Sequence, residues 1–598
     1  MIRRTRLRWL TPWAVALVAG LSACTPSSEP TTTVTAVPST TVPPTSTTVP
    51  PPFVYRIGMT RDVTTLNPWA AEDTATSRWT SYVLDQTRAS LFTPMPDEAS
   101  VQPLLAAGEL SEPVEQGDGS WVVEVAVAGS WSDRNPVTPD DIVFTFDTVR
   151  RLELGGQWRR TWFPDAVTAV TAAEESVRIQ FASRPGLEVW PFGPGTAPIL
   201  PAHYWADLIA GIGTAEALYA LDGAGAPSAG RFVVVDRTEG EEIRLEPNPE
   251  WGGEMPAVEE AVYAVYPGVE AAVDALVTGE IDVIIDPDGL APEAVAAAAL
   301  DEGDMGSMVS ENNGFRFLAF NLSRPVTGNL AFRQVVNLIA TAHGASPEAG
   351  GEFEAGVSIP SANLAWFDPE AASRLRTKAP SGPADRLERL VAALSGAGFA
   401  WTTPPALSGD TITPGTGLSL SGAAVPAVEV LSPAEDQVRL GYARAIVSGL
   451  AELGFAVSLT EASLDEVVER VFMPTAGGFD FDMYLAGWSL GRPEFPSHHA
   501  AFFGTPSDSR GLNNNTGFTS GAFDELLATY SATRDPVEAR QVLWAMEEIL
   551  ATQKPYVFLY TEPITELYRA DRVAFPFQTR LGGIQADGGA LALVEPLE

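Results

Sequence analysis

The sequence predicts a mixed α/β protein, because strand-period and helix-period segments follow one another with no repeat of fixed length. Three passages carry that prediction: an alternating run from Trp121 to Val127, a capped helix start at Thr138–Ile142, and a strand–helix–strand stretch between Val262 and Ile285.

The chain opens on a different kind of segment. Arg3, Arg4, Arg6 and Arg8 form a positive region, and a short apolar run from Trp13 to Leu21 follows. Such a run is too short for a permanent membrane span and has the anatomy of a cleaved export signal. It ends Leu21-Ser22-Ala23-Cys24, which resembles the lipobox of bacterial lipoproteins. The resemblance implies cleavage after residue 23 and a diacylglyceryl group on Cys24. As the only cysteine, Cys24 has no internal disulfide partner. Residues 24–52 consist mainly of Thr, Ser, Pro and Val without apolar periodicity. They read as an extended tether, so the chain is expected to be anchored to a membrane rather than to span it.

The body, 53–598, is long enough for two or three subdomains. Hydrophobic residues make up 45% of the chain, sufficient for sizeable cores. The formal charge is −39, and loss of the four leader arginines makes the mature protein more acidic still. That balance, without a basic stripe, excludes nucleic acid as a natural partner.

Trp121, Val123, Val125 and Val127 fall on one face of a predicted strand. Thr138 is placed as an N-cap, Pro139 as the first helical residue and Asp141 as the reciprocal acid of a capping box. Val137 and Ile142 flank them as a hydrophobic staple. Ile142, Phe146 and Val149 continue the buried face. Arg231–Val235 and Glu242–Leu245 read as a hairpin, and Val262–Tyr266 as the next strand. The stripe Val269, Val273, Leu276 is helical, Gly279 ends it, and Ile281–Ile285 resumes as a strand.

Several of these segments also resemble the extracellular solute-binding proteins of the peptide and nickel group (family 5), the receptors of ABC importers. The residues concerned are Trp131-Ser132-Asp133 with Val137–Phe146, Asn248-Pro249-Glu250-Trp251-Gly252-Gly253, Ala275–Asp282, Phe320-Asn321-Leu322 with Ala331–Val335, and Phe481–Trp488. They occur in the family's order across nearly the whole body. The resemblance implies a bilobal clamshell of the type II periplasmic-binding-protein kind, with an extra subdomain inserted in the first lobe. The expected boundaries are 53–98, 227–311 and 553–598 for lobe 1, 99–226 for the insertion and 312–552 for lobe 2. It further implies a peptide or other small solute in the cleft, permease subunits as partners, a monomer, and a place on the outer face of the cytoplasmic membrane. No cofactor, metal or catalysis is implied.

Trp488 ends an apolar strand before a Gly/Pro-rich loop, so its ring is a candidate cleft wall. Peptide-binding relatives carry an aspartate three residues later, which pairs with the ligand's ammonium group. Here Gly491 stands there, followed by Arg492, with Glu494 as a possible substitute acid. Asn67, in the Thr65–Pro68 turn, and Asn321 are further candidate ligand contacts, while Arg333 reads as an ion-paired structural residue. The rival reading is a secreted hydrolase. Gly487-Trp488-Ser489-Leu490-Gly491 matches the nucleophile-elbow pattern, and a carboxylate pair is another route to hydrolysis. The histidines after Ser489, His498 and His499, follow too closely for an intervening strand and acid. As neighbours they read as a surface pair, without an obvious third metal ligand. A receptor for a metal chelate or an oligosaccharide is the remaining alternative.

Overall fold

The computed structural model describes residues 53–597, apart from 73–76, 96–98, 288, 291–294, 296–303, 313, 347–355, 360–364, 435, 474–477, 491–494, 508–510, 512, 562 and the side chain of Ser489. The leader, Cys24 and the tether therefore lie outside the described residues.

Val54–Met59 is the central strand of a seven-stranded sheet, and Tyr55, Ile57 and Met59 are fully buried. It runs parallel to Glu260–Val265 on one side and Val283–Ile285 on the other. Parallel neighbours need a crossover, and the helix Val269–Thr278 supplies it between those two strands. Gly279 ends that helix at φ 77°, with the Glu280 N–H bonded to the Ala275 carbonyl at 2.8 Å. That left-handed position suits glycine and explains the predicted stop. The hairpin Phe232–Thr238/Glu242–Pro247 extends one edge; Pro563–Arg569 and Met305–Glu311 extend the other.

A second sheet of five strands has the order Val457–Ala462, Val428–Pro433, Met483–Ser489, Gly314–Phe320, Tyr556–Tyr560. Gly314–Phe320 is buried on both faces. Phe315, Phe317 and Ala319 enter one core and Leu318 and Phe320 the other, as a two-residue period requires. Its partner Tyr556–Tyr560 was expected in the first lobe. It pairs with Gly314–Phe320 instead, so the chain returns to the first sheet after residue 560 rather than at 553.

The chain passes between the sheets twice. Met305–Glu311 leads to Gly314–Phe320, and Tyr556–Tyr560 leads to Pro563–Arg569. The two passages run side by side: Glu311 pairs with Pro563 in one sheet and Arg316 with Tyr560 in the other.

A four-stranded sheet, Val114–Glu115, Trp121–Ala126, Ser176–Phe181, Val167–Ala173, has a core of its own. Trp158, Trp190 and Trp205 are fully buried there, and Trp69, Leu91 and Phe92 join them from earlier in the chain. The helix Pro139–Arg151 starts as read: the Thr138 N–H donates to Asp141 Oδ2 at 2.8 Å. Asp141 also accepts from the Ala202 N–H at 2.7 Å, so one carboxylate holds two helix starts together.

Candidate functional site

The main cavity, about 980 Å³, is walled by separate parts of the chain. They are stretches within 72–104 and 157–198, Arg231 with residues 251–257, then Leu490, Phe495 and Ser497, and the end of the chain from Pro576 to Glu595. Its volume sits at the upper end of ordinary small-ligand sites.

Its wall chemistry is mixed. Arg88 is ion-paired with both Glu72 and Asp85. Arg231 lies over the Trp251 ring, 5.4 Å from its centroid. Burial lowers the Arg231 pKa, with Asp587 opposing that shift. Gly253 makes room for the Trp251 ring, because a Cβ there would come within 2.7 Å of it. The turn itself is fixed by Asn248, which donates from Nδ2 to the carbonyls of Gly230 and Ser228 and accepts from the Glu250 N–H. Opposite chemistry comes from Glu188. Burial pushes its pKa up to about 7, and a hydrogen bond from the Ser531 hydroxyl opposes the shift.

The predicted site residues divide. Trp488 ends the strand as expected and is partly buried, stacked on Phe502 at 4.3 Å between centroids. Phe317 and Phe472 pack around the same ring. Leu490 and Phe495 line the cavity. Gly491, Arg492 and Glu494 lie outside the described residues.

Asn67 is corrected. It is 0% exposed and caps the helix Pro68–Ala71 through the Trp69 N–H. Its Nδ2 donates to the carbonyls of Leu218 and Leu221. Asn321 is corrected likewise: Nδ2 donates to the Phe481 carbonyl and Oδ1 accepts from the Ser323 N–H and hydroxyl. Both amides are spent inside the protein, each oxygen on its own turn and each Nδ2 on carbonyls distant in sequence, as buried polar groups require. Arg333 is structural, without an ion pair among the described residues. It caps the carbonyls of Thr327, Gly328 and Gln553, and burial lowers its pKa to about 10.

His498 and His499 are not a surface pair. Their rings lie 4.2 Å apart, and both Nε2 atoms meet the buried Ser358 hydroxyl, at 3.0 and 3.2 Å. His499 Nε2 also meets Glu547 Oε1 at 2.6 Å, and that carboxylate accepts from the Ser358 hydroxyl and N–H. A hydrolytic triad needs its histidine to face nucleophile and acid through different ring nitrogens; here His499 uses one. Among the described residues no group of three or more His, Asp or Glu is arranged to hold a metal ion. Nor does Ser489 stand on an elbow. It closes a strand paired with Gly314, Leu490 is not helical, and the next helix begins at His498.

Arg231, Trp251 and Glu188 were missed as cavity residues. Trp251 carried a signal, since it lies in one of the family-like turns. Glu188 carried none.

A curated protein of Brucella suis biovar 1 (strain 1330), named as a binding protein, is 24% identical over 497 residues, covering 76% of this chain and 75% of its own length. The ABC transporter substrate-binding protein CtaP of Listeria monocytogenes superposes with a TM-score of 0.68 at 16% identity, over 92% of this chain and all of that one. The oligopeptide-binding protein AppA of Bacillus subtilis, in complex with a nonapeptide, gives 0.60 at 17%, over 91% and 99%. These likenesses establish the bilobal periplasmic-binding-protein fold. The model of the bacterial extracellular solute-binding proteins, family 5, matches residues 115–509, and the chain belongs to that family of extracytoplasmic binding proteins, which are not enzymes.

Proposed function

We propose that the protein is a lipid-anchored receptor of an ABC importer, holding an oligopeptide or similar small solute between its lobes and handing it to permease subunits. The observation that carries this reading is the cavity, whose walls include Arg231, directly before the strand Phe232–Thr238 of the first large sheet, and Leu490, directly after the strand Met483–Ser489 of the second. A ligand touching both sides favours the closed arrangement and biases an existing open–closed equilibrium. The aromatic stack of Trp488, Phe502 and Phe317 belongs to the same core that Leu490 and Phe495 of the cavity wall pack against. Mixed charge at the walls suits a solute with polar groups at several points.

The anchor reading rests on Leu21–Cys24 and the tether that follows. No helix among the described residues is long and apolar enough to cross a membrane. Cys24→Ser is expected to leave solute affinity intact and to reduce uptake by cells. Loss of binding in the purified variant would contradict that division of labour.

To test the receptor role, the body from Phe53 onward is screened with peptides, oligosaccharides and metal chelates by thermal shift and small-angle scattering. A true solute raises the melting temperature progressively above its dissociation constant and compacts the molecule. Turnover of an ester or glycoside that Ser489→Ala abolishes would overturn the reading.

A further inference from the structure

Glu188 sits in a turn whose backbone is pinned on both sides. The Leu187 N–H donates to the Thr533 carbonyl at 2.8 Å, and Arg534 Nη1 donates to the carbonyls of Pro185 and Trp190 at 3.0 and 3.1 Å. Gly186 lies against the backbone of Ser531, where a Cβ would come within 2.1 Å of the carbonyl oxygen. The turn is therefore fixed, and Glu188 is held at the cavity wall beside Phe192 and Phe495, whose rings are 5.6 Å apart.

Its carboxylate is poorly compensated. The side-chain donor it meets is the Ser531 hydroxyl, at the long distance of 3.5 Å, and among the described residues it has no ion pair. The neighbouring titratable group, Tyr530, is buried and donates its own proton to the Pro496 carbonyl. Leaving a carboxylate in such a place costs stability unless something pairs with it. Charge across the whole cavity points the same way. Six carboxylates and three guanidinium groups line it among the described residues; Glu72 and Asp85 hold Arg88 and Arg580 holds Asp587, which leaves Glu188, Glu254 and Glu595 facing Arg78 and Arg231. Such a cavity concentrates cations.

We propose that Glu188 forms a subsite for a cationic nitrogen of the bound solute, a primary ammonium or guanidinium group, so that the receptor takes cationic or zwitterionic solutes. This rests on the receptor reading above and adds the class of solute. The carboxylate waits uncompensated in the free protein, and a charge-assisted hydrogen bond from the solute completes it.

The test compares wild type, Glu188→Gln and Glu188→Asp by calorimetric titration at pH 8. The probes are trialanine, arginine, spermidine, N-acetyl-trialanine and maltotriose. The expected result is that at least one amine- or guanidinium-bearing probe binds the wild type and loses about tenfold or more in affinity in Glu188→Gln. Glu188→Asp retains part of that affinity, and any probe without a cation binds both forms alike. The melting temperature of unliganded Glu188→Gln should equal or exceed that of wild type at pH 8, which a purely structural role for the carboxylate would not give. Cation binding unchanged in Glu188→Gln, or binding by the uncharged and acetylated probes alone, would overturn the subsite and leave the receptor role standing. No binding and no compaction with any probe would overturn both.

Discussion

At the scale of single residues, the site depends on which polar groups are already satisfied. Asn67 and Asn321 have spent their amides, whereas Glu188 has one long hydrogen bond. The elevated Glu188 pKa has two consequences of definite sign. An unfolded glutamate ionises near pH 4.3 and the folded one near 7, so below both values the group is neutral in either state. As pH rises through that window the unfolded state loses its proton first, and stability falls. Glu188→Gln should therefore gain on the order of 1–2 kcal/mol at pH 8 and nothing at pH 4, read from denaturant midpoints. Binding of a cation needs the ionised form, so affinity should fall about tenfold per pH unit below 7 in wild type. In Glu188→Gln that slope should be absent. None of this was legible in the sequence, where Glu188 is one acid among 76. Trp251 was legible as part of a turn but not as a wall, because only the folded chain places it under Arg231.

At the scale of elements, local patterns were read well where one rule decided them. The alternation at Trp121–Ala126, the capping box at Thr138 and the glycine stop at Gly279 all stand as the sequence predicts. Asp141 does more than cap, since it also holds the Ala202 N–H and Trp131 Nε1. Asp141→Ala should cost about 2–3 kcal/mol, more than an ordinary cap, and a melting curve reads it. The sequence concealed elements joined over long separations. Ser358, His499 and Glu547 are far apart in the chain, yet together they fasten the 356–359 segment to the helices His498–Phe503 and Pro536–Gln553. Removing Glu547 would take from buried His499 and Ser358 the carboxylate they share. Glu547→Ala is expected to cost about 3–5 kcal/mol. Burial, reinforced by His499, holds the His498 pKa well below its ordinary value. Below pH 6.5 the unfolded chain therefore takes up a proton that the folded one refuses, and stability drops on acidification. His498→Gln should flatten that limb of the pH–stability curve; an unchanged slope would contradict the assignment.

At the scale of the whole molecule, two sheets are joined where Met305–Glu311 leads to Gly314–Phe320 and Tyr556–Tyr560 leads to Pro563–Arg569, side by side. The resemblance implied two crossings, but not their pairing, and it placed the second at 553, ahead of Tyr556–Tyr560. A second connection comes from Arg534, which also bonds Glu112 at 2.6 and 3.0 Å. Four side-chain hydrogen bonds thus tie the segment after the helix Gly521–Ala532 to the four-stranded unit. Arg534→Ala should loosen this contact and enlarge the radius of gyration of the unliganded protein, with a loss of about 1–3 kcal/mol in stability. An unchanged scattering profile would show that Arg534 does not restrain the lobes.

The central claim is that this molecule binds a solute between its lobes and returns it unaltered. The most direct measurement is a calorimetric titration of the body from Phe53 onward with the probe panel, followed by mass spectrometry of the recovered probe. The account predicts saturable one-to-one binding, compaction at saturation and a chemically unchanged probe. Absence of binding across peptides, amines, sugars and chelates, or recovery of a cleaved product, would contradict it.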